Sequence, residues 1–114
     1  MEIINQVLYK PIEKGYDFSL TVSGPAGYLA AFDSINADFK KTKALNSPVI
    51  IGLELGDGIE KSGDTIVLTI PASVTAEITE DFLYMDIKAK IGANPPVKLL
   101  DCISKVLDFA TPWQ

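Results

Sequence analysis

Histidine and arginine are both missing from this 114-residue chain, and cysteine occurs once. Without histidine, the usual general base near neutral pH and the commonest metal ligand are gone. Without arginine there is no bidentate clamp for a phosphate or carboxylate substrate. The ten basic residues are all lysines, set against fifteen acids for a net charge of −5. A protein that follows a phosphate backbone needs a basic face. Only Lys40, Lys41 and Lys43 cluster, and in an acidic chain such a cluster reads as a solvated strand end. No nucleic-acid partner is expected. Cys102 has no second cysteine to bridge to. It sits in an apolar strand pattern and reads as a small buried hydrophobe. As a nucleophile it would lack a histidine to activate it.

Long apolar runs are absent too. Nothing approaches the ~20 residues of a membrane-spanning helix, so no membrane partner is expected. Met1 to Gln6 has neither a basic n-region nor an apolar h-region, so the expectation is no signal peptide and a chain made and kept in the cytoplasm. No cofactor motif is present.

What remains is an ordinary single-domain length, 1–114, with 47% hydrophobic residues, enough to bury a core unaided. Eight glycines and seven prolines punctuate short apolar runs, a spacing typical of an all-β domain. The central stretch is Gly56 to Ala89. Gly56-Asp57-Gly58 and Ser62-Gly63-Asp64 are turn signals. Thr65 to Ile70 alternates, with Ile66, Leu68 and Ile70 on one face, so it reads as a half-buried strand. Pro71 ends the strand and suits the first turn of a short helix over about residues 71–77. Phe82 to Ala89 is a second strand, with Leu83, Met85, Ile87 and Ala89 inward and Phe82, Tyr84, Asp86 and Lys88 outward.

The flanks follow the same logic. Glu2 to Tyr9 reads as a strand or an arm, cut off by Pro11. Tyr16, Phe18, Leu20 and Val22 line one face of a strand. Tyr28 to Phe32 is apolar but too short to assign. Ile35, Ala37 and Phe39 point inward from a strand over 34–41. Val49, Ile51, Leu53 and Leu55 form the apolar face of another. Val97 to Leu107 carries apolar residues on both faces, so it is central or bulged near Asp101. With a short N-terminal arm (about 1–10) and an irregular tail (about 108–114), this predicts an antiparallel immunoglobulin-like β-sandwich of six to seven strands.

Several of these segments, in order, resemble the small β-sandwich domain of tailed-bacteriophage structural proteins. The chain is similar to the N-terminal domain of the baseplate upper protein and to related short phage proteins. The matching segments are Gly15-Tyr16-Asp17-Phe18-Ser19-Leu20, Ile35-Asn36-Ala37-Asp38-Phe39-Lys40, Gly63-Asp64, and Ile66-Val67-Leu68-Thr69-Ile70. They continue with Pro71 to Thr75, Tyr84-Met85-Asp86 and Leu99-Leu100. Relatives often carry an arginine in the second of these strands, and this chain has none. In the baseplate protein fibre-forming sequence follows, whereas here the sequence stops at Gln114, which suits an adaptor, plug or decoration. The resemblance implies a non-enzymatic virion component of a phage or prophage, assembled in the bacterial cytoplasm. Its partners would be copies of itself or other virion proteins.

Asp57, Glu60 and Asp64 are the only loop carboxylates spaced to suggest Ca²⁺, but turns recruit Asp and Gly for backbone reasons. Glu77, Glu80, Asp81 and Asp86 are the densest acidic group. A carboxylate pair for glycoside hydrolysis must flank a cleft, and these flank a strand start, where charges stay solvated. For contacts with other proteins the candidates are Tyr9, Tyr84, Asp86, Phe109 and Trp113. Tyrosine is favoured at interfaces, and a tryptophan in an irregular tail either folds back or anchors in another chain. The alternative is a carbohydrate- or receptor-binding module, which would gather Tyr16, Tyr28 and Trp113 on one face.

Overall fold

The structure, a computed structural model, describes residues 6–44 and 46–108, with side chains described from residue 8. Nine strands form among them: β1 (Gln6–Tyr9), β2 (Ile12–Glu13), β3 (Phe18–Ser23), β4 (Ser34–Lys40), β5 (Val49–Leu55), β6 (Gly58–Ser62), β7 (Thr65–Ile70), β8 (Phe82–Lys90) and β9 (Val97–Leu107). The one α-helix, α1, is a single turn over Ala72–Thr75 with Pro71 as its N-cap. A 3₁₀ turn at Leu29–Ala31 fills the stretch that periodicity left unassigned.

The strands run in the order β1-β9-β8-β4-β5-β6-β7-β3. This path curls back on itself. β1, β9, β8, β4 and β5 form one layer, and β6, β7 and β3 form the other. The inner rows of both layers make one core: Phe18, Leu20 and Val22 with Ile66, Leu68 and Ile70 on one side, and Ile35, Ala37 and Phe39 with Leu83, Met85, Ile87 and Cys102 on the other. The rings of Phe18 and Phe39 meet edge to face across the gap, 5.9 Å between centroids. The chain is an all-β, immunoglobulin-like β-sandwich. Two layers joined by crossovers, with β3, β7 and β6 facing β9, β8, β4 and β5, reproduce the variable-type division of strands.

The strand count and the pairing differ from expectation. There are nine strands among the described residues, not six or seven, and the sheet is mixed. β1 and β2 both pair parallel to β9, Gln6 to Tyr9 against Leu100 to Ile103 and Ile12–Glu13 against Val106–Leu107. Pro11 separates the two pieces, since it has no N–H for the ladder. β2 and β6 are too short to show a period, and β6 lies between two turn signals. The Gly56-Asp57-Gly58 turn does more than reverse the chain. It carries the backbone from one layer to the other, so that β5 and β6 run parallel for only two pairs of residues, Glu54↔Gly58 and Leu55↔Ile59. Gly58 has φ +94°, and a Cβ there would fall 2.5 Å from Leu53 Cδ2, so only glycine fits.

The double apolar face of β9 has a simple cause. The register with β8 shifts between Ile87 and Lys88, which makes Leu99 the extra residue of a bulge. Leu99 and Leu100 are therefore both buried although adjacent. Tyr16 lies ahead of β3 and is exposed, not inward. Tyr28 packs edge-on to Phe32 against the core instead of standing free, 5.3 Å between centroids.

Candidate functional site

Strand register decides which outward side chains become neighbours. Residues paired across adjacent strands lie on the same face of the layer. On the outer face of the five-stranded layer, Tyr9 pairs with Ile103, Ile103 with Tyr84, Tyr84 with Lys40, and Lys40 with Val49. One register step along, Asp101 pairs with Asp86, Asp86 with Asp38, and Asp38 with Gly52. A row of tyrosine and aliphatic side chains, interrupted by Lys40, thus runs beside a row of three aspartates. Phe82, 45% exposed, extends the apolar side at the start of β8.

Tyr9, Tyr84 and Asp86 are brought together here. Tyr9 is 76% exposed at the layer's edge, while Tyr84 and Asp86 are half-buried near its middle. Phe109 and Trp113 lie outside the described residues. The sequence pattern did not single out Asp38, Asp101 or Ile103. The outward position of Asp38 was legible from alternation, whereas the two apolar faces of β9 left Asp101 and Ile103 unassigned, and the alignment of all three depends on which strands pair and in what register.

Lysines balance the aspartate row. Lys88 Nζ lies 3.9 Å from Asp86, and Lys98 Nζ lies 3.3 Å from Asp101. Both pairs are solvent-accessible and contribute little to stability. Lys43, in the β4–β5 loop, sits over the Tyr84 ring, 5.7 Å from its centroid. Between that loop and Asp101 the face sinks into a hollow of about 250 Å³, with Tyr84, Asp86 and Lys98 among its lining residues. A second depression, walled by the Ala93-Asn94-Pro95-Pro96 turn, continues it over Asn36 and Asp38. The turn is held by Asp33, whose carboxylate accepts the Gly92 N–H at 2.9 Å. The face is therefore a shallow trough with charge of both signs on its floor.

Other candidate residues fall elsewhere. Asp57, Glu60 and Asp64 do not converge on a cation. Asp64 reaches across to the β3–β4 loop, where its two oxygens accept the Gly27 N–H at 2.7 Å and the Ala30 N–H at 2.9 Å. Lys61 completes this lock, donating to the Ala30 and Phe32 carbonyls. Among the described residues no group of three or more acidic or cysteine side chains is placed to hold a metal ion. Cys102 is buried in the core, and burial raises its thiol pKa. Tyr16 and Tyr28 stand at opposite ends of β3 and form no common face.

The Asp64 lock has a testable pH signature. The Ala30 and Gly27 N–H groups hold its carboxyl below the ordinary carboxylate value. A group with a lowered folded pKa adds stability that is present above its unfolded pKa and lost as pH falls through the folded one. Asp64→Asn should therefore flatten the acid limb of the stability profile below about pH 4. It should also speed amide exchange at Gly27 and Ala30. Unchanged exchange at both amides would show that the carboxylate does not hold the loop.

No protein-family model matches the chain, and no curated protein sequence matches it. Among solved structures, the chain is similar to one from structure-based photo-crosslinking analyses of multimeric cell-adhesive interactions of VGSC beta subunits. That likeness covers 89% of this chain and 92% of the other at 11% identity, with a TM-score of 0.45.

Proposed function

We propose that this protein is a non-enzymatic structural or assembly component of a phage or prophage virion, an adaptor, tail or baseplate element or decoration that works through protein–protein interfaces. The observation that carries the reading is the outer face of the five-stranded layer. It gathers Tyr9, Ile103, Tyr84 and Phe82 beside a charged floor. Aromatic residues flanked by paired charges are what a partner protein recognises. The resemblance of the strand motifs to small phage β-sandwich domains supports the setting.

The test uses particles purified from the host that carries the gene. The chain is expected in the particles. A Tyr9→Ser, Tyr84→Ser double variant that keeps its melting temperature should be lost from them at least tenfold. A chain absent from the particles would sink the virion reading. Equal incorporation of the variant would move the interface off this face. The hollow beside Tyr84, with Asp86 and Asp101 as hydrogen-bond acceptors, favours one second reading: a carbohydrate-binding module, which a glycan array would register and which Tyr84→Ser would abolish.

A further inference from the structure

β5 closes one edge of the five-stranded layer, and among the described residues most of that edge is uncovered. The strand pairs with β4 on one side. On the other side β6 covers only Glu54 and Leu55, because the Gly56-Asp57-Gly58 turn leads the chain away to the second layer. The segment Val49-Ile50-Ile51-Gly52-Leu53 has no partner strand on that side among the described residues. Val49 is 50% exposed and Ile50 37%, and Ile51 and Leu53 reach the core but stay half-buried. Exposed edges normally carry lysine, proline or an inward charge that blocks pairing. These five residues carry none, although a register shift between Phe39 and Lys40 leaves Ile50 as a bulge.

The hydrogen-bonding groups point outward in a usable way. The Glu54 N–H bonds the Asp57 carbonyl on the side away from β4, at 2.9 Å. Gly52, two residues earlier in the same pleat, presents its N–H and C=O on that same free side.

We propose that β5 is a self-pairing edge: two copies of this chain dimerise by joining β5 to β5 in antiparallel register about a two-fold axis at Ile51. In that register Ile51 faces its own copy and Ile50 faces Gly52, while Val49, which the Ile50 bulge turns to the outer face, runs alongside Leu53 without sharing its face. It uses the five uncovered residues and no others. The bulky Ile50 meets the residue without a side chain, and no charges oppose. The half-buried Ile51 and Leu53 gain cover from the partner's equivalents, so the two cores become continuous. The ends are complementary as well. The loop before β5 carries exposed Lys41 and Lys43, and the far end carries exposed Glu54 and Asp57. An antiparallel two-fold sets the basic end of one copy beside the acidic end of the other. A short edge-to-edge contact belongs with the small interfaces, below about 1,200 Å² in total. The dimer is therefore concentration-dependent, not obligate.

The contact is separate from the outer face, and the variants distinguish the two. Sedimentation velocity across a concentration series should show a monomer–dimer equilibrium for the native chain. Ile50→Lys should weaken it at least tenfold, while Tyr9→Ser, Tyr84→Ser should leave it in place. Ile51→Cys supplies a second readout that needs no disruption. Non-hydrogen-bonded antiparallel partners have Cα atoms about 4.5 Å apart, within disulfide reach. Mild oxidation should therefore crosslink Ile51→Cys dimers, and Cys102 is buried and adds no background. A Val97→Cys control, on another exposed strand end, should not crosslink. A native chain that stays monomeric throughout overturns the proposal and leaves the edge to a strand of a different protein. A dimer that ignores Ile50→Lys and forms no Ile51→Cys crosslink overturns it in favour of another surface.

Discussion

Phe39→Ala should cost about 3–5 kcal/mol of stability, the range for removing a large aromatic from a packed interior. Phe39 is fully buried, and its ring fills the space between the layers edge-on to Phe18. The large cost follows from that position. A cavity there faces strands from both layers, and neither can move in without breaking its own ladder. For a domain of this size the melting temperature should fall on the order of 20 °C. Phe39→Leu refills most of the space and should cost about half as much or less. Urea titrations check both, with an unchanged slope confirming that the unfolded state is the same. A loss under about 1 kcal/mol for Phe39→Ala would mean that the layers do not pack on this ring.

Thr75→Val should be the most damaging polar substitution, at about 2–4 kcal/mol. Thr75 is completely buried in α1, at the crossover from the three-stranded layer to β8. Its hydroxyl accepts the Gly15 N–H at 3.1 Å and donates to the Tyr16 carbonyl at 2.8 Å, with the Ala72 carbonyl also within 3.1 Å. It pins the approach to β3 onto the turn that launches β8. Valine keeps the shape and removes the hydroxyl, so the Gly15 N–H and Tyr16 C=O are left without it. These groups are part-buried beside Thr75, where water replaces the lost partner only incompletely, so stranding them costs more than the bond itself contributes. Thr75→Ser keeps the bonds and loses one methyl, which is worth about 0.8 kcal/mol. The order Ser close to native, Val far below it, identifies the hydroxyl as the cause. Similar losses for both would point to packing instead. Because β8 carries Tyr84 and Asp86, Thr75→Val should also loosen the outer face, seen as faster amide exchange along Phe82 to Asp86.

The sequence alone determined a good deal. Strict alternation marked Thr65–Ile70, Ser34–Lys41 and Phe82–Ala89 as half-buried strands, and the inward sets Ile66/Leu68/Ile70, Ile35/Ala37/Phe39 and Leu83/Met85/Ile87/Ala89 are all buried in the structure. A period of two separates faces without reference to any partner strand. Pro71 marked the end of β7 and the start of α1, because proline ends a ladder and suits the first helical turn. Cys102 was legible as a core residue from its apolar surroundings and the lack of a second cysteine, and it is buried.

What the tertiary structure decided was everything that depends on a second strand. The parallel pairing of β1 and β2 with β9 leaves no local mark, since their partners lie about ninety positions away in the chain. The bulge at Leu99 shows in sequence only as two apolar faces. The layer change at Gly58 uses the same residues as an ordinary turn. The outer face shows the limit most clearly. Tyr84 and Asp86 were recognisable as outward-facing on one strand. Tyr9 joins Tyr84, and Asp38 and Asp101 flank Asp86, only because four strands settle into one register. Alternation says which way a side chain points, and it takes the pairing of strands, a long-range choice made by the whole core, to say what it points beside.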